Sequence, residues 1–151
     1  MITANNFEAV LASLGFIKNK RTFSRVFPEF HCEMKVDFSR KKLIYPMEIK
    51  GRERNDGFDA PENFVVFECV HRLLVKGYRP EHIELEEVWQ LGHEQKGGRA
   101  DICVSAPDGS MLFIIECKTY GNAFNKYLKK TLASYMTTSF SLRTAGHIKS
   151  G

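Results

Sequence analysis

The sequence of 151 residues lacks the features that mark membrane, secreted and zinc-binding proteins. No apolar run approaches the ~20 residues of a membrane-spanning helix, and the first residues lack the basic-then-apolar layout of a signal peptide. We therefore expect a cytoplasmic protein without membrane contact. The four cysteines are widely spaced and form no CxxC pair. A zinc site at Cys69 and His71 would lack its second pair of ligands, so reduced, packed thiols are the simpler interpretation.

The motifs of nucleotide-driven motors and of methyltransferases are also missing. Gly92 and Gly97 have the glycine spacing of a P-loop, but Gly98-Arg99 stands where Lys and Ser/Thr are required. No methyltransferase Asn-Pro-Pro-Tyr motif is present. The net charge of +4 permits binding to a phosphate backbone without demanding it.

The composition and length are those of one folded domain. Hydrophobic residues make up 43% and charged residues 26%, and twelve Phe supply bulky core material. We expect a single domain over residues 1–151. It would consist of an N-terminal helix and hairpin (1–50), a core (61–136) and a tail (137–151).

The N-terminal part predicts a helix and a hairpin. Apolar spacing predicts a helix over Phe7–Leu14, capped by Asn6 and ended by Gly15. Alternation over Cys32–Phe38 predicts a half-buried strand, and a turn leads into a second strand over 43–45. The basic tract at residues 18–21 is predicted to be a solvated loop, with phosphate contact as the alternative.

The remaining elements predict an α+β fold, with a central mixed β-sheet flanked by helices. Pro61 suits the first turn of a helix that ends at Gly77, and a further helix is expected over 122–136. Strands are predicted over 83–91, 100–105 and 111–118. The apolar run Met111–Ile115 does not alternate, which is typical of a central strand covered on both faces.

The charged residues of the last two strands suggest a metal site. Asp101 lies on one strand, and Glu116-Cys117-Lys118 ends the next. Neighbouring carboxylates repel each other unless a cation lies between them. Mg²⁺ prefers hard oxygen ligands and needs only one or two carboxylates. We therefore expect Asp101, Glu116 and the backbone carbonyl of Cys117 to hold Mg²⁺, with Mn²⁺ able to substitute.

Lysines and a helix acid complete the candidate site. Beside a metal ion, Lys118 can position a water and contact a phosphate. The cations expected to contact a phosphate backbone are Lys96, Arg99 and Lys126, and Glu68 on the preceding helix is a fourth catalytic candidate.

Each of these residues also has an ordinary structural interpretation. Glu116 and Lys118 can form a surface pair worth ~0.2–1 kcal/mol. Glu68 and Arg72, at i and i+4, can form a helix pair worth ~0.2–0.5 kcal/mol. Asp101 can begin a turn or accept a hydrogen bond from Arg99. The placement favours function, because charges that end a strand as apolar as 113–115 are costly unless they are used.

These motifs resemble a known family. The segments 97–101 and 114–118 are similar to the PD-(D/E)xK nuclease motif. The helix from Pro61 and Gly77-Tyr78 resemble the N-terminal nuclease domains of type I restriction subunits and of single-chain restriction-modification polypeptides. The resemblance covers roughly residues 42–120. It implies a restriction-endonuclease-like α/β core that cleaves DNA with Mg²⁺.

The resemblance also implies roles and partners. Asp101 and Glu116 would be metal ligands, Lys118 the catalytic lysine and Glu68 the helix acid. The chain would be a module of a larger restriction enzyme, working with motor, methyltransferase or specificity modules. Thr131 stands where many such nucleases have Gln. This departure motivates the alternative of a catalytically inactive domain that binds DNA or a partner.

Overall fold

The computed structural model describes residues 2–91, 95–119 and Asn125, with the backbone alone over 88–91 and 95–99. The chain divides into two compact units, Met1–Cys117 and Lys118–Gly151. The elements described below lie in the first unit.

The N-terminal region is a helix followed by an antiparallel sheet. Helix α1 (Phe7–Ser13) precedes four strands in the spatial order β1-β2-β3-β4. Their bounds are Ile17–Asn19 for β1, Thr22–Phe27 for β2, Cys32–Asp37 for β3 and Lys42–Ile44 for β4. Strand β3 alternates strictly between buried and half-buried residues, so one face of this sheet packs on the core and the other faces outward.

The second half contains the long helix and a three-stranded antiparallel sheet. Helix α2 (Pro61–Val75) begins at a proline, whose missing N–H costs nothing in a first turn. The second sheet has the order β5-β6-β7, with β5 at Ile83–Leu91, β6 at Gln95–Ser105 and β7 at Met111–Ile115. Single 3₁₀ turns cover Pro28–Phe30, Arg52–Asn55 and Pro80–His82.

A core rich in phenylalanine joins α1 and α2 to both sheets. The rings of Phe7 on α1 and Phe64 on α2 have centroids 4.7 Å apart. Phe67 of α2 packs on Tyr45 at 5.2 Å, and Tyr78 meets Phe113 of β7 at 5.4 Å. The core thus fixes α2 against the β6–β7 hairpin.

The α+β class is confirmed. The described strands form two antiparallel sheets, and the isolated bridge between Lys50 and Glu84 is parallel. Both helices and the strands β3, β4 and β5 lie where the sequence predicted them, within a few residues. The predicted helix over 122–136 falls outside the described residues except for Asn125, which is helical.

Local predictions for the basic tract, Asn6 and β7 need correction. The basic tract at 18–21 is not a loop, because it ends β1 and forms the tight turn into β2. Asn6 is at the N-cap position of α1 as predicted, but its side chain makes no capping hydrogen bond; its Oδ1 accepts a hydrogen bond from the Thr3 N–H at 2.8 Å. Strand β7 is the edge of the described three-stranded sheet, and its apolar residues Met111, Leu112 and Ile114 are exposed.

Candidate active site

The β6–β7 hairpin places Asp101 beside the residues that follow β7. Ile102 pairs with Ile115. Asp101 precedes Ile102 and Glu116 follows Ile115, so the two acids take neighbouring positions just beyond this pair. The Asp101 carboxylate accepts a hydrogen bond from the Cys117 N–H, with 2.6 Å between Oδ2 and N. A carboxylate that receives a backbone N–H is held in one orientation, which suits a residue required to bind an ion.

This hydrogen bond also explains where the strand ends. The sequence predicted β7 to continue to Lys118, but its last residue is Ile115. A side-chain oxygen takes the Cys117 N–H that a strand partner would otherwise accept. Glu116 is exposed and Cys117 is buried, so the expected packing of the Cys117 thiol is confirmed.

Helix α2 contacts this hairpin through a pair of thiols. The sulfur atoms of Cys69 and Cys117 are 3.9 Å apart, and the Cys117 thiol donates to Cys69. This hydrogen bond lowers the pKa of Cys69, although burial and the negative charges of Glu68 and Asp101 oppose the shift. Glu68 and Asp101 therefore both lie near the Cys69 sulfur.

Glu68 lies on α2 and is largely buried, with 8% of its surface exposed. Its carboxylate forms an ion pair with Arg72 one helical turn later. The hydrogen bond between them, and then the negative charge of Glu68, raise the pKa of the Arg72 guanidinium. The i,i+4 pair considered from the sequence is therefore present. Arg72 itself is mostly exposed whereas the Glu68 carboxylate is largely buried, so loss of this pair would leave a buried anion at Glu68.

A backbone distortion lies on the other side of Asp101. The register pairs Leu85 with Ile102 and Glu87 with Ala100, so Glu86 occupies the step opposite Asp101. Glu86 has φ +54°, a left-handed conformation that costs a residue with a Cβ about 1–2 kcal/mol. Such strain is concentrated at functional sites.

The candidate cations are described less fully. Lys96 and Arg99 lie on β6, where the structure describes the backbone alone. Lys118 follows Cys117 directly and begins the second unit. Lys126 lies outside the described residues.

The donor chemistry at the hairpin fits a hard divalent ion. Asp101 and Glu116 provide carboxylate oxygens, and the carbonyl of Cys117 adds a neutral oxygen. Mg²⁺ commonly takes one or two carboxylates and keeps several waters, so this set is sufficient. Among residues 2–91 and 95–119, no three or more His, Cys, Asp and Glu residues are grouped to hold a metal ion.

Sequence reasoning missed the thiol contact and the strained residue. Cys69 and Cys117 were interpreted as separate packing residues, yet each directly follows a candidate acid in a Glu-Cys dipeptide. The repeated dipeptide does not by itself indicate a contact, which depends on how α2 packs on the hairpin. Nothing in the local pattern of Glu86 indicates a positive φ, because a glutamate in a strand ordinarily adopts an extended conformation.

Comparison with known families identifies the region that carries this site. Residues 61–145 match the family model of the type I restriction enzyme R protein N terminus. The chain belongs to this family. The match spans α2, the three-stranded sheet and all four candidate catalytic residues. No curated protein and no solved structure matches the chain.

Membership in the R protein N-terminal family supports a role in a restriction system. The resemblance drawn from the sequence to type I restriction subunits is confirmed. Within the described part of the chain, no helix is long and apolar enough to cross a membrane.

Proposed function

We propose that this chain is the nuclease module of a restriction system and hydrolyses DNA phosphodiester bonds with Mg²⁺ in the manner of PD-(D/E)xK enzymes. One observation carries the proposal. The β6–β7 hairpin brings Asp101 beside Glu116-Cys117, and the Asp101 carboxylate accepts a hydrogen bond from the Cys117 N–H. Family membership supports the same function.

The proposal gives each residue a task. Asp101, Glu116 and the Cys117 carbonyl would hold the ion. A bound Mg²⁺ supplies acidification of water and neutralisation of phosphoryl charge. Lys118 would orient the attacking water and contact the scissile phosphate as a compact cation. Glu68 would approach the site from α2 after exchanging its contact with Arg72.

Cleavage of supercoiled plasmid tests this assignment. We expect nicking with Mg²⁺ or Mn²⁺ and none with EDTA. Glu116→Gln and Lys118→Met should each lower the cleavage rate about 100-fold or more, because each removes a group that acts on the reacting phosphate. Glu62→Gln, a partly exposed acid in the first turn of the same α2 that carries Glu68, is the matched control and should leave the rate unchanged.

A second candidate is a nuclease-like domain that binds DNA or a partner without cutting. The ion pair between Glu68 and Arg72 favours it, because it occupies a candidate catalytic acid. Salt-dependent DNA binding that survives EDTA, combined with no cleavage under either metal, would establish this candidate and overturn the first.

The same proposal includes partners. As a member of the R protein N-terminal family, the chain would act on DNA within a complex that holds motor, methyltransferase or specificity modules. Co-purification with those modules, and loss of restriction in cells carrying Glu116→Gln, are the expected observations.

A further inference from the structure

Positive charge is concentrated in the N-terminal sheet, far from the candidate catalytic residues in sequence. Residues 17–45 contain eight Lys and Arg against three Asp and Glu, a net charge of +5, whereas the whole chain carries +4. This region lies outside the family match at 61–145. Its charge is therefore not explained by the site already described.

The topology brings two basic turns to one edge of this sheet. Lys20 and Arg21 form the turn between β1 and β2, next to the pair Asn19–Thr22. Thr22 pairs in turn with Asp37, the last residue of β3 before the turn at 38–41. The Phe38 N–H donates to the Arg21 carbonyl at 3.0 Å and ties the two turns together.

We define the cationic edge as Lys20, Arg21, Arg40 and Lys41, all of which are exposed. Arg40 lies 3.8 Å from Asp37. In the part of the chain that the structure describes, no ion pair involves Lys20, Arg21 or Lys41. Three cations held side by side without counter-charges repel one another, so the arrangement favours an anionic ligand.

The backbone conformation shows that lysine is not the easiest residue at these turns. Lys20 has φ +54° and Lys41 has φ +53°. Glycine and asparagine adopt this left-handed conformation at lower cost. Both turns thus have a lysine at a position where the backbone conformation favours glycine or asparagine.

A groove of about 690 Å³ extends from this edge over the outer face of the sheet. Hydroxyl and amide groups of Asn19, Thr22, Ser24 and Ser39 line it, together with Lys35. Such groups are typical phosphate contacts. Among the described residues that line the groove, none is aromatic, whereas proteins that bind single strands stack bases on aromatic side chains.

The two carboxylates in the groove are already engaged. Glu33 pairs with Lys35 at 2.6 Å. Asp37 accepts hydrogen bonds from the Ser39 and Arg40 N–H groups at 2.8 and 3.0 Å. Their charge is partly neutralised within the sheet, and the edge keeps its positive character.

We propose that the cationic edge and its groove bind the phosphate backbone of duplex DNA, as an anchoring surface distinct from the Asp101–Glu116 hairpin. The proposal rests on the proposed function, since it takes DNA as the substrate. It goes beyond that function by assigning the N-terminal sheet a sequence-independent hold on the duplex.

Fluorescence anisotropy with a labelled 20-bp duplex tests the anchoring surface. EDTA is present throughout, so that cleavage and metal binding play no part. The combined variant Lys20→Gln, Arg21→Gln, Lys41→Gln should weaken binding at least tenfold. The slope of log Kobs against log salt should become shallower by about 0.9 for each phosphate that the variant no longer neutralises.

The matched control removes the same charge elsewhere. Lys50, Lys76 and Arg79 are exposed and lie outside the four-stranded sheet, so their combined change to Gln should leave affinity and slope near those of the wild type. Equal weakening by both triple variants would overturn the proposal, because it would show a response to net charge alone. Binding to anionic phosphatidylserine vesicles, without any binding to the duplex, would also overturn it.

A second variant separates binding from folding. Lys20→Asn with Lys41→Asn removes two charges and suits the left-handed conformation, so the melting temperature should stay the same or rise while affinity for the duplex falls. Unchanged affinity in this variant contradicts the proposal. These binding measurements use EDTA and so do not depend on cleavage. A chain that binds through the cationic edge but does not cleave plasmid with Mg²⁺ or Mn²⁺ would refute only the nuclease assignment.

Discussion

At the scale of single residues, Asp101 combines a structural and a proposed chemical task. Its carboxylate accepts a hydrogen bond from the Cys117 N–H, and on β6 it precedes Ile102, whose partner Ile115 precedes Glu116. The two tasks are separable because asparagine keeps an acceptor oxygen but loses the negative charge.

We expect Asp101→Asn to fold with nearly wild-type stability, whereas Asp101→Ala should lose about 1–3 kcal/mol, because a partly buried N–H loses its acceptor. Both variants should abolish Mg²⁺-dependent cleavage. Urea unfolding and plasmid cleavage measure the two effects. Equal stability of the two variants would show that the hydrogen bond contributes nothing to the fold.

At the scale of elements, the segment around Gly51 joins the two halves of the first unit. The Leu85 N–H donates to the Lys50 carbonyl at 2.9 Å, and the Lys50 N–H donates to the Ile83 carbonyl at 3.3 Å. Gly51 has φ +68°, and a Cβ there would clash with the Leu85 carbonyl oxygen. Only glycine fits between this segment and β5.

Gly51→Ala should therefore destabilise the fold by about 2–5 kcal/mol, since a left-handed conformation and a backbone clash both oppose the added methyl group. Gly109→Ala is the matched control: it has φ +82° but no atom within 4 Å of the added Cβ, and should cost about 1–2 kcal/mol. Chemical denaturation compares them, and similar losses would show that the close approach to Leu85 is unimportant.

The elements also show what the sequence made predictable. Helix α2 and strand β3 were recognisable because their apolar periods are regular and their ends carry Pro61, Gly77 and a turn. The β1–β2 hairpin was missed because Lys20-Arg21 contains none of the usual turn residues. Strand β7 was misplaced because an apolar run does not reveal whether a neighbour covers it.

The same limit applies to the candidate site. An acid on one predicted strand and an acid-x-Lys pattern at the end of the next make Asp101, Glu116 and Lys118 candidates from the sequence. The hydrogen bond to Cys117 and the distortion at Glu86 depend on how β5, β6 and β7 pair. The contact between Cys69 and Cys117 depends on how α2 packs on the hairpin, so neither can be predicted from one segment of the sequence.

At the scale of the whole molecule, the protonation of His71 makes the stability of the fold depend on pH. Its ring lies between Phe16, which follows α1, and Phe27 of β2, at 5.5 and 5.9 Å. Burial lowers its pKa from 6.5 to about 4, helped by the positive charges of Arg25 and Arg72. Helix α1, β2 and α2 thus meet around an imidazole that stays neutral in the folded state.

Between pH 6.5 and pH 4 the unfolded chain binds a proton at His71 that the folded chain does not. The free energy of unfolding should therefore fall as pH falls through this window, by up to about 3 kcal/mol. Denaturation at about pH 7 and about pH 4.5, on either side of most of this window, measures the loss. His71→Leu should reduce it, and an undiminished loss in that variant would assign the acid sensitivity to other groups.

The contact between Cys69 and Cys117 gives the docking of α2 on the hairpin a built-in reporter. Each thiol directly follows a candidate acid, and the two sulfurs touch only while the helix and the hairpin are assembled. The rate at which a maleimide labels Cys69 would thus follow separation of the two elements in solution. Any ligand that clamps the carboxylates together should slow that labelling, without any need for turnover.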